Sequence, residues 1–282
     1  MNILITGANG FLGKHLVEYY ENSDHHVMAC GREELDVTNR KSVQEYFHKN
    51  KVDIVLHAAV KGGARAEKDT YEDLIMNLQM FRNLKEHANK FRTMVSFGSG
   101  AEFDRRKPTI RAREEDIFIS QPEDYYGMSK NIIAREIVQF DGNIINLRLF
   151  GCFGTHEKGT RMIKGNILKS RNTGKIVIHQ NKMMDFFYVD DLCKVIDNII
   201  EHPSDFEFKD LNMCYQNKKS LVDIAEIIAN NLQENNIRVI LEEEEMSLSY
   251  TGHHSRLKRV GIQFAGLEKG IKEVCEELCQ IK

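Results

Sequence analysis

Apolar residues along the chain fall alternately into short continuous runs and into helical spacing. Residues 2–6 (NILIT) form a β-branched apolar run, and Leu12, Leu16 and Val17 then recur on one helix face. That reads as strand, tight turn, helix. The same pattern predicts a strand over 26–30, a helix over 42–50, a strand over 52–57 and a helix over 71–89, the last with Leu74, Asn77, Leu78, Phe81 and Leu84 on one face. A strand over 93–97, a helix over 124–140 and a strand over 144–150 follow. Strands separated by helices specify a parallel sheet covered on both faces, an α/β architecture.

Beyond Gly154 the elements become shorter and more polar. Residues 160–171 make a basic amphipathic segment and 175–179 a short strand. The run DFFYVDD (185–191) precedes an apolar helix reaching Ile200, and then come a helix over 221–232, a strand over 237–241 and a last helix over 271–279. This predicts a larger domain over 1–154, with 180–202 returning to it, and a smaller α+β lobe from the remainder of 155–282. The basic stretch 105–113 and the acidic run Glu242–Glu245 read as solvated loop and turn.

The glycines refine the first junction. Gly7, Gly10 and Gly13 sit where the first strand meets the first helix: the first allows the turn, the second lets backbone approach a pyrophosphate, and the third lets helix pack on strand. The free N–H groups of the helix start would face the phosphates. A dinucleotide is expected there, on a doubly wound parallel sheet of the Rossmann type. At the end of the second strand, Cys30, Gly31 and Arg32 stand where an NAD enzyme usually carries an acid for the ribose 2′-OH. Arg32 suits a 2′-phosphate, which favours NADP(H) and leaves NAD(H) possible. Ala58 and Ala59 supply small residues where the chain must pass the cofactor.

Composition narrows the function classes. The chain has 282 residues, 41% of them hydrophobic, and a formal net charge of -3 with the signs mixed, so neither a nucleic-acid surface nor a membrane span is expected. Six cysteines lack disulfide or metal spacing, and a chain opening directly in a strand shows no signal peptide; a reducing cytoplasm is the expected location, and no metal is expected. Cys275 and Cys279, four apart, suit packing. The histidine pairs His25-His26 and His253-His254 read as solvated turns.

Tyr126 and Lys130 are one helical turn apart and share a face. A free phenol with a pKa near 10 is a poor base at neutral pH, but an adjacent ammonium stabilises the phenolate and allows it to exchange a hydroxyl proton. Ser99 closes the fourth strand, at the end where open parallel sheets bind ligands, and a hydroxyl there can polarise a carbonyl.

Taken with Leu147-Arg148-Leu149-Phe150-Gly151 and Asp185-Phe186-Phe187-Tyr188-Val189-Asp190-Asp191, these motifs resemble the extended short-chain dehydrogenase/reductases acting on nucleotide sugars. Within that family the segments 32–36 and 57–63, Thr70-Tyr71 and Asn77 are most similar to GDP-L-fucose synthases, then to dTDP-4-dehydrorhamnose reductases. The resemblance implies catalysis by Ser99, Tyr126 and Lys130. It implies cofactor contacts from Gly7, Asn9, Gly10, Phe11, Leu12, Gly13, Arg32, Asp36, Ala58, Ala59, Tyr126, Lys130 and Phe150, with Asp36 at the adenine edge. Substrate contacts would come from Ser99, Gly100, Arg161 and Lys164, and a homodimer would form through the helices over 71–89 and 124–140.

The implied activity is NADPH-dependent reduction of a nucleotide-linked 4-keto sugar. Two alternatives are an epimerase that retains NAD and a non-catalytic nucleotide sensor. Fucose synthases epimerise with a Cys two residues after the Ser and a His in the lobe. Ala101 and Arg161 stand at those positions, so epimerisation is not expected, with His179 and Glu102 the first groups to suspect were it found. Met183 and Met184 stand where relatives often carry Arg.

Overall fold

A computed structural model describes residues 1–63, 68–203, 206–232 and 236–280. The elements open with β1 (Asn2–Thr6), α1 (Phe11–Glu21), β2 (His26–Cys30), α2 (Arg40–Lys49), β3 (Ile54–His57) and α3 (Tyr71–Lys85). Next come β4 (Thr93–Ser99), β5 (Thr109–Ala112), α4 (Tyr125–Gln139), β6 (Ile144–Leu149), β7 (Cys152–Phe153), α5 (Met162–Thr173) and β8 (Lys175–Gln180). The chain continues with β9 (Phe187–Tyr188), α6 (Val189–Glu201), β10 (Asp210–Met213), α7 (Leu221–Asn231), β11 (Arg238–Glu243), β12 (Tyr250–Gly252), α8 (Ser255–Arg259) and α9 (Leu267–Gln280). The strand–helix alternation expected from the apolar pattern is present, and the fold is α/β.

By its internal contacts the chain divides into two compact units. The first is Met1–Asp104, Glu114–Arg148 and Val195–Asn212; the second is Arg105–Arg113, Leu149–Lys194 and Met213–Lys282. The segment Val195–Asn212 that returns to the first unit carries β10.

The first unit is built on a six-stranded sheet in the order β10-β6-β4-β3-β1-β2, with β1 parallel to β2 and β3, and β3 parallel to β4. Strand order reverses between β1 and β3, so their carboxyl ends open the crevice where such sheets bind ligands. Leu4, Val55 and Met94 from three of these strands pack in one cluster with Leu74, Leu78, Phe81 and Leu84 of α3 and Ile133 and Ile137 of α4. Each such side chain contributes about 1.5–3 kcal/mol by leaving water. Caps set the helix starts. Asn39 accepts the Lys41 and Ser42 amides at 3.0 and 3.2 Å, so α2 begins at Arg40. Thr70 and Asp73 close a reciprocal capping box on α3, which stops at Lys85, short of 89, before a separate 3₁₀ turn at Ala88–Lys90.

In the second unit β8 pairs with β11, β5 with β12 and β7 with β9, each pair parallel. Two sequence expectations are corrected here. Within 105–113, Thr109–Ala112 is strand β5, held because Thr109 and Arg111 donate their amides to Ser249 O and Thr251 Oγ1 at 2.7 and 2.9 Å. The acidic run is not all turn: Glu242 and Glu243 lie in β11 and accept from the two ring nitrogens of His179 at 2.8 and 3.1 Å.

The acids of DFFYVDD organise this unit. Asp191 is fully buried and accepts from the Ala265 and Gly266 amides at 2.7 and 2.8 Å and from Tyr215 Oη at 2.7 Å. Asp185, also buried, takes Lys218 Nζ at 2.7 Å and the Gly252 amide at 2.8 Å.

Candidate active site

The turn after β1 is built by exclusion. Gly7 has φ +68°, and a Cβ there would lie 2.6 Å from Ala59 N; a Cβ on Gly13 would lie 2.1 Å from Gly7 O. These are the turn and the close helix packing expected of the two positions. Gly10 is the N-cap of α1 and donates its own amide to Gly7 O at 2.9 Å, with no side chain capping the helix start at Phe11, Leu12 and Gly13. Backbone donors with positive dipole character therefore converge on this turn, which suits a diphosphate.

Across the crevice, the Ala58 and Ala59 amides donate to Thr6 O at 3.2 Å and to Thr6 Oγ1 at 3.4 Å. Thr6 Oγ1 also meets His57 Nδ1 at 2.8 Å. Burial, aided by the Lys130 charge, pushes His57 down to about 3, so it is neutral and structural.

After β2, Glu34 turns back to accept the Gly31 amide at 2.8 Å, and Asn9 lies against the same glycine. Arg32 projects with 66% of its side chain exposed and a 3.7 Å contact to Asp36. Asp36 accepts from Thr38 Oγ1 at 2.6 Å, and that bond, with a smaller contribution from Arg32, holds its carboxyl below the usual range.

Ser99 ends β4, and its Oγ accepts the Ala101 amide at 3.1 Å, which leaves the hydroxyl proton for another acceptor. Tyr126 and Lys130 lie on α4, started by Asp124 accepting the Gly127 amide at 2.7 Å. Lys130 is buried; its Nζ donates to Phe97 O at 2.7 Å and lies 5.9 Å from the centre of the Tyr126 ring. Burial pushes Lys130 down to about 8, partly offset by Glu102. The ammonium is still the main form at neutral pH.

Gly63 (φ +76°) lies against the Tyr126 ring, so that a Cβ there would be 2.9 Å from Cζ. That placement comes from Asn77, which accepts the Lys61 amide at 2.9 Å and donates Nδ2 to Lys61 O and Ser129 Oγ at 3.0 and 3.1 Å. Ser129 Oγ in turn donates to Tyr126 O at 2.7 Å. The following residues 64–67 lie outside the described residues.

Within the first unit the glycine turn, Ala58, Ala59, Ser99, Gly100, Tyr126 and Lys130 lie at or beyond the carboxyl ends of β1, β3 and β4 or on α4. Phe150, Arg161 and Lys164 belong to the second unit. Phe150 is buried and meets Tyr250 edge-on at 5.2 Å. Lys164 Nζ donates to Thr155 O, and Arg161 Nε contacts Glu157 Oε1 at 3.4 Å.

Two acids bear on the sequence reading. Glu102 is fully buried and bonded to Ser99 N, Arg148 Nε and Asn146 Nδ2, so it does not have a free carboxylate for substrate. His179 is likewise engaged, in the β8–β11 pair. Glu157 was not singled out by any motif, yet burial, opposed by Arg161, pushes it up to about 7, where it can carry a proton. No spacing rule points to it, since its burial comes from tertiary packing.

The profile of the NAD dependent epimerase/dehydratase family matches residues 3–214. The GDP-L-colitose synthase of Yersinia pseudotuberculosis is 30% identical over 220 residues, spanning 70% of this chain and 71% of that protein. The structure is similar to a GDP-D-glycero-L-gluco-heptose synthase of Campylobacter jejuni solved with NADPH (TM-score 0.82, 19% identity, 99% of this chain and 98% of that one). It is also similar to a dTDP-4-dehydrorhamnose reductase of Clostridium acetobutylicum (TM-score 0.81, 20% identity, 100% of both chains). With a profile match that runs from β1 past β10 and covers most of the sequence, the chain belongs to the NAD dependent epimerase/dehydratase family, among the extended short-chain dehydrogenase/reductases its motifs resemble.

Proposed function

We propose that the protein reduces a nucleotide-linked 4-keto sugar with NADPH, without epimerising it. The observation that carries this reading is the pairing of Tyr126 with buried Lys130 on α4, in the same unit as an uncapped glycine turn and a serine whose hydroxyl proton is uncommitted. The cofactor would lie over the crevice between β1 and β3, its diphosphate on the amides of Gly10 to Gly13, with Asn9, Ala58 and Ala59 beside it and Arg32 paired with the 2′-phosphate. Bound there, it supplies hydride to C4 of the sugar. Ser99 donates a hydrogen bond to the carbonyl oxygen as negative charge develops on it, and Tyr126 delivers the proton that completes the alcohol. Lys130 stabilises the phenolate left behind. In the second unit, Arg161 and Lys164 carry the positive charge that the family resemblance associates with substrate, and Phe150 the apolar ring it associates with cofactor. The name of the colitose synthase relative and that of the rhamnose reductase, with NADPH in the solved heptose synthase, support this substrate class and cofactor.

The absence of an acid/base group at Ala101 argues for retention at C3 and C5. We further assign a homodimer to α3 and α4, where Tyr71 and Tyr125 are exposed side by side with ring centres 5.9 Å apart. The test is to follow NADPH absorbance with a panel of nucleotide-linked 4-keto sugars: stoichiometric oxidation with one of them is expected. Turnover of a nucleotide sugar with no net change in nicotinamide would replace the reductase reading with the epimerase one.

A further inference from the structure

Beneath the Ser99 turn lies a buried charged network. Glu102 Oε1 accepts the Ser99 amide at 2.9 Å while Oε2 accepts from Arg148 Nε, and Asn146 Nδ2 lies within 3.2 and 3.3 Å of the two oxygens. Arg148 in turn donates to Asn212 Oδ1 at 2.9 Å and Asp210 Oδ2 at 3.0 Å, and its guanidinium lies over the Phe103 ring. The Asn212 amide donates to Glu114, also buried.

Lys130 approaches this network from α4, and the Glu102 charge offsets part of the effect of burial on its ammonium. Its Nζ bonds to Phe97 O; two residues on, the Ser99 amide is closed by Glu102, and at Gly98 between them a Cβ would lie 2.3 Å from Glu102 Oε1. Asn131, the next residue of α4, donates to Glu102 O at 2.8 Å. Lys130 and Ser99 are thus tied to adjoining points of the 97–102 turn, with the buried Glu102 bonded to the second.

We propose that Glu102 is the positioning residue of this site: its carboxylate, clamped by Arg148 and Asn146, fixes the Ser99 backbone and hence the direction of its hydroxyl, and supplies the negative charge that balances Lys130. Nothing in the dehydrogenase motifs requires an acid three residues after the serine. Both Glu102 oxygens act as acceptors, one of them from a guanidinium, an arrangement that favours the ionised form; burial pushes its carboxyl up and Arg148 opposes that. The groups facing Lys130 are Glu102 from the Ser99 turn, Tyr126 from its own helix and neutral His57 from β3; those facing Glu102 are Arg148 from β6 and, through Arg148, Asp210 from β10.

Two substitutions separate the roles. E102Q keeps an acceptor for the Ser99 amide and removes the charge; E102D keeps the charge and draws it back from Ser99 by one methylene. The first readout needs no substrate and so does not depend on the reductase reading: the Lys130 side-chain NMR signal in [ε-13C]lysine-labelled protein is titrated, assigned by its loss in K130R. In E102Q its titration moves down by about one pH unit or more, the size of effect expected when an opposite charge is lost at close range. In E102D it stays within a few tenths of the wild type. The second readout is kcat, expected to fall at least tenfold in E102D at unchanged NADPH affinity, because Ser99 is misdirected while the cofactor contacts remain. In E102Q the alkaline limb of kcat follows the Lys130 titration downward.

An unmoved Lys130 titration in E102Q, or an E102D enzyme with wild-type kcat, overturns the proposal. Should E102Q fail to fold, E102D decides alone: a lower kcat with an unmoved Lys130 titration supports the assignment, and any other combination refutes it. A folded E102Q showing the shift in a protein that turns over none of the tested sugars would uphold the Glu102–Lys130 coupling and reject the reductase reading.

Discussion

The glycine turn makes a prediction in which two neighbouring Gly→Ala changes should have opposite signatures. A methyl group on Gly13 would lie 2.1 Å from Gly7 O, more than an ångström short of ordinary contact, with Ala8 Cα and Gly7 C also under 3 Å. All three are backbone atoms, so relief requires α1 to move off β1 or the Gly7 turn to open. Overpacking against backbone costs about 2–3 kcal/mol, a fall in Tm of roughly 5–10 °C for a chain of this size. Gly10 differs. Its backbone (φ -82°, ψ 177°) is open to any residue, and its Cβ would meet only Gly7 O at 3.3 Å. Gly10→Ala should therefore change stability by less than about 1 kcal/mol. It should still hold a pyrophosphate away from the α1 amides and weaken NADPH roughly a hundredfold, about 2.7 kcal/mol. Thermal unfolding without cofactor, paired with quenching of NADPH fluorescence, reads both. A Gly10→Ala protein binding NADPH like the wild type would place the diphosphate elsewhere, and a Gly13→Ala protein of unchanged Tm would refute the packing argument.

Tyr126→Phe should bind NADPH normally and lose at least a hundredfold in kcat in the same absorbance assay, since the ring survives and the transferable proton does not. Arg32→Ala should weaken NADPH about tenfold and NADH hardly at all, measured by titration of each cofactor, because only the 2′-phosphate offers a charge to pair with. Glu136 joins α3 to α4 through Arg82 and Lys85; burial pushes its carboxyl up, but the two cations outweigh this and hold it below the ordinary value. Its contribution is thus present above the unfolded carboxyl pKa and lost as pH falls through the folded one: Glu136→Gln should cost about 0.5–1 kcal/mol by urea unfolding at pH 7, and the difference should vanish in the acid range. Incubating enzyme and 4-keto sugar in deuterated water with oxidised cofactor should leave C3 and C5 unlabelled. Exchange that disappears in Glu157→Gln would identify that carboxyl as the missing base.

The elements most legible in the sequence were those whose side chains face the core at a regular period. β1 and β2 run as the apolar pattern predicts, and the face Leu74, Asn77, Leu78, Phe81 and Leu84 of α3 is buried throughout. Asn77 was readable as inward-facing, although its task of holding Lys61 through both backbone groups was not. What escaped were strands specified by partners. β10 (DLNM) alternates polar and apolar over only four residues, too short a run to stand out, with Asp210 and Asn212 on the Arg148 side, and β5 is a strand only because β12 lies beside it. The candidate site divides in the same way. The Gly7, Gly10, Gly13, Ser99, Tyr126 and Lys130 spacing is local and could be read, while the burial that lowers Lys130 and raises Glu157 depends on residues distant in sequence. Glu102 was visible as an acid near Ser99, yet its commitment to Arg148 bridges 46 positions and follows from no motif.

The interruption of the first unit by the second bears on how the chain emerges during synthesis. Arg148, fully buried in the finished protein, waits 62 positions for Asp210. At roughly 5–20 residues per second, the nascent sheet stands for about 3–12 s with β6 as an unpaired edge and a guanidinium lacking half its partners. Within that interval the ribosome delivers all of Leu149–Lys194, the middle piece of the other unit. The cofactor-binding half is thus expected to close only after residue 212 leaves the exit tunnel, and a fragment ending at Arg148 should behave as a client of holding chaperones rather than as a free-standing nucleotide binder.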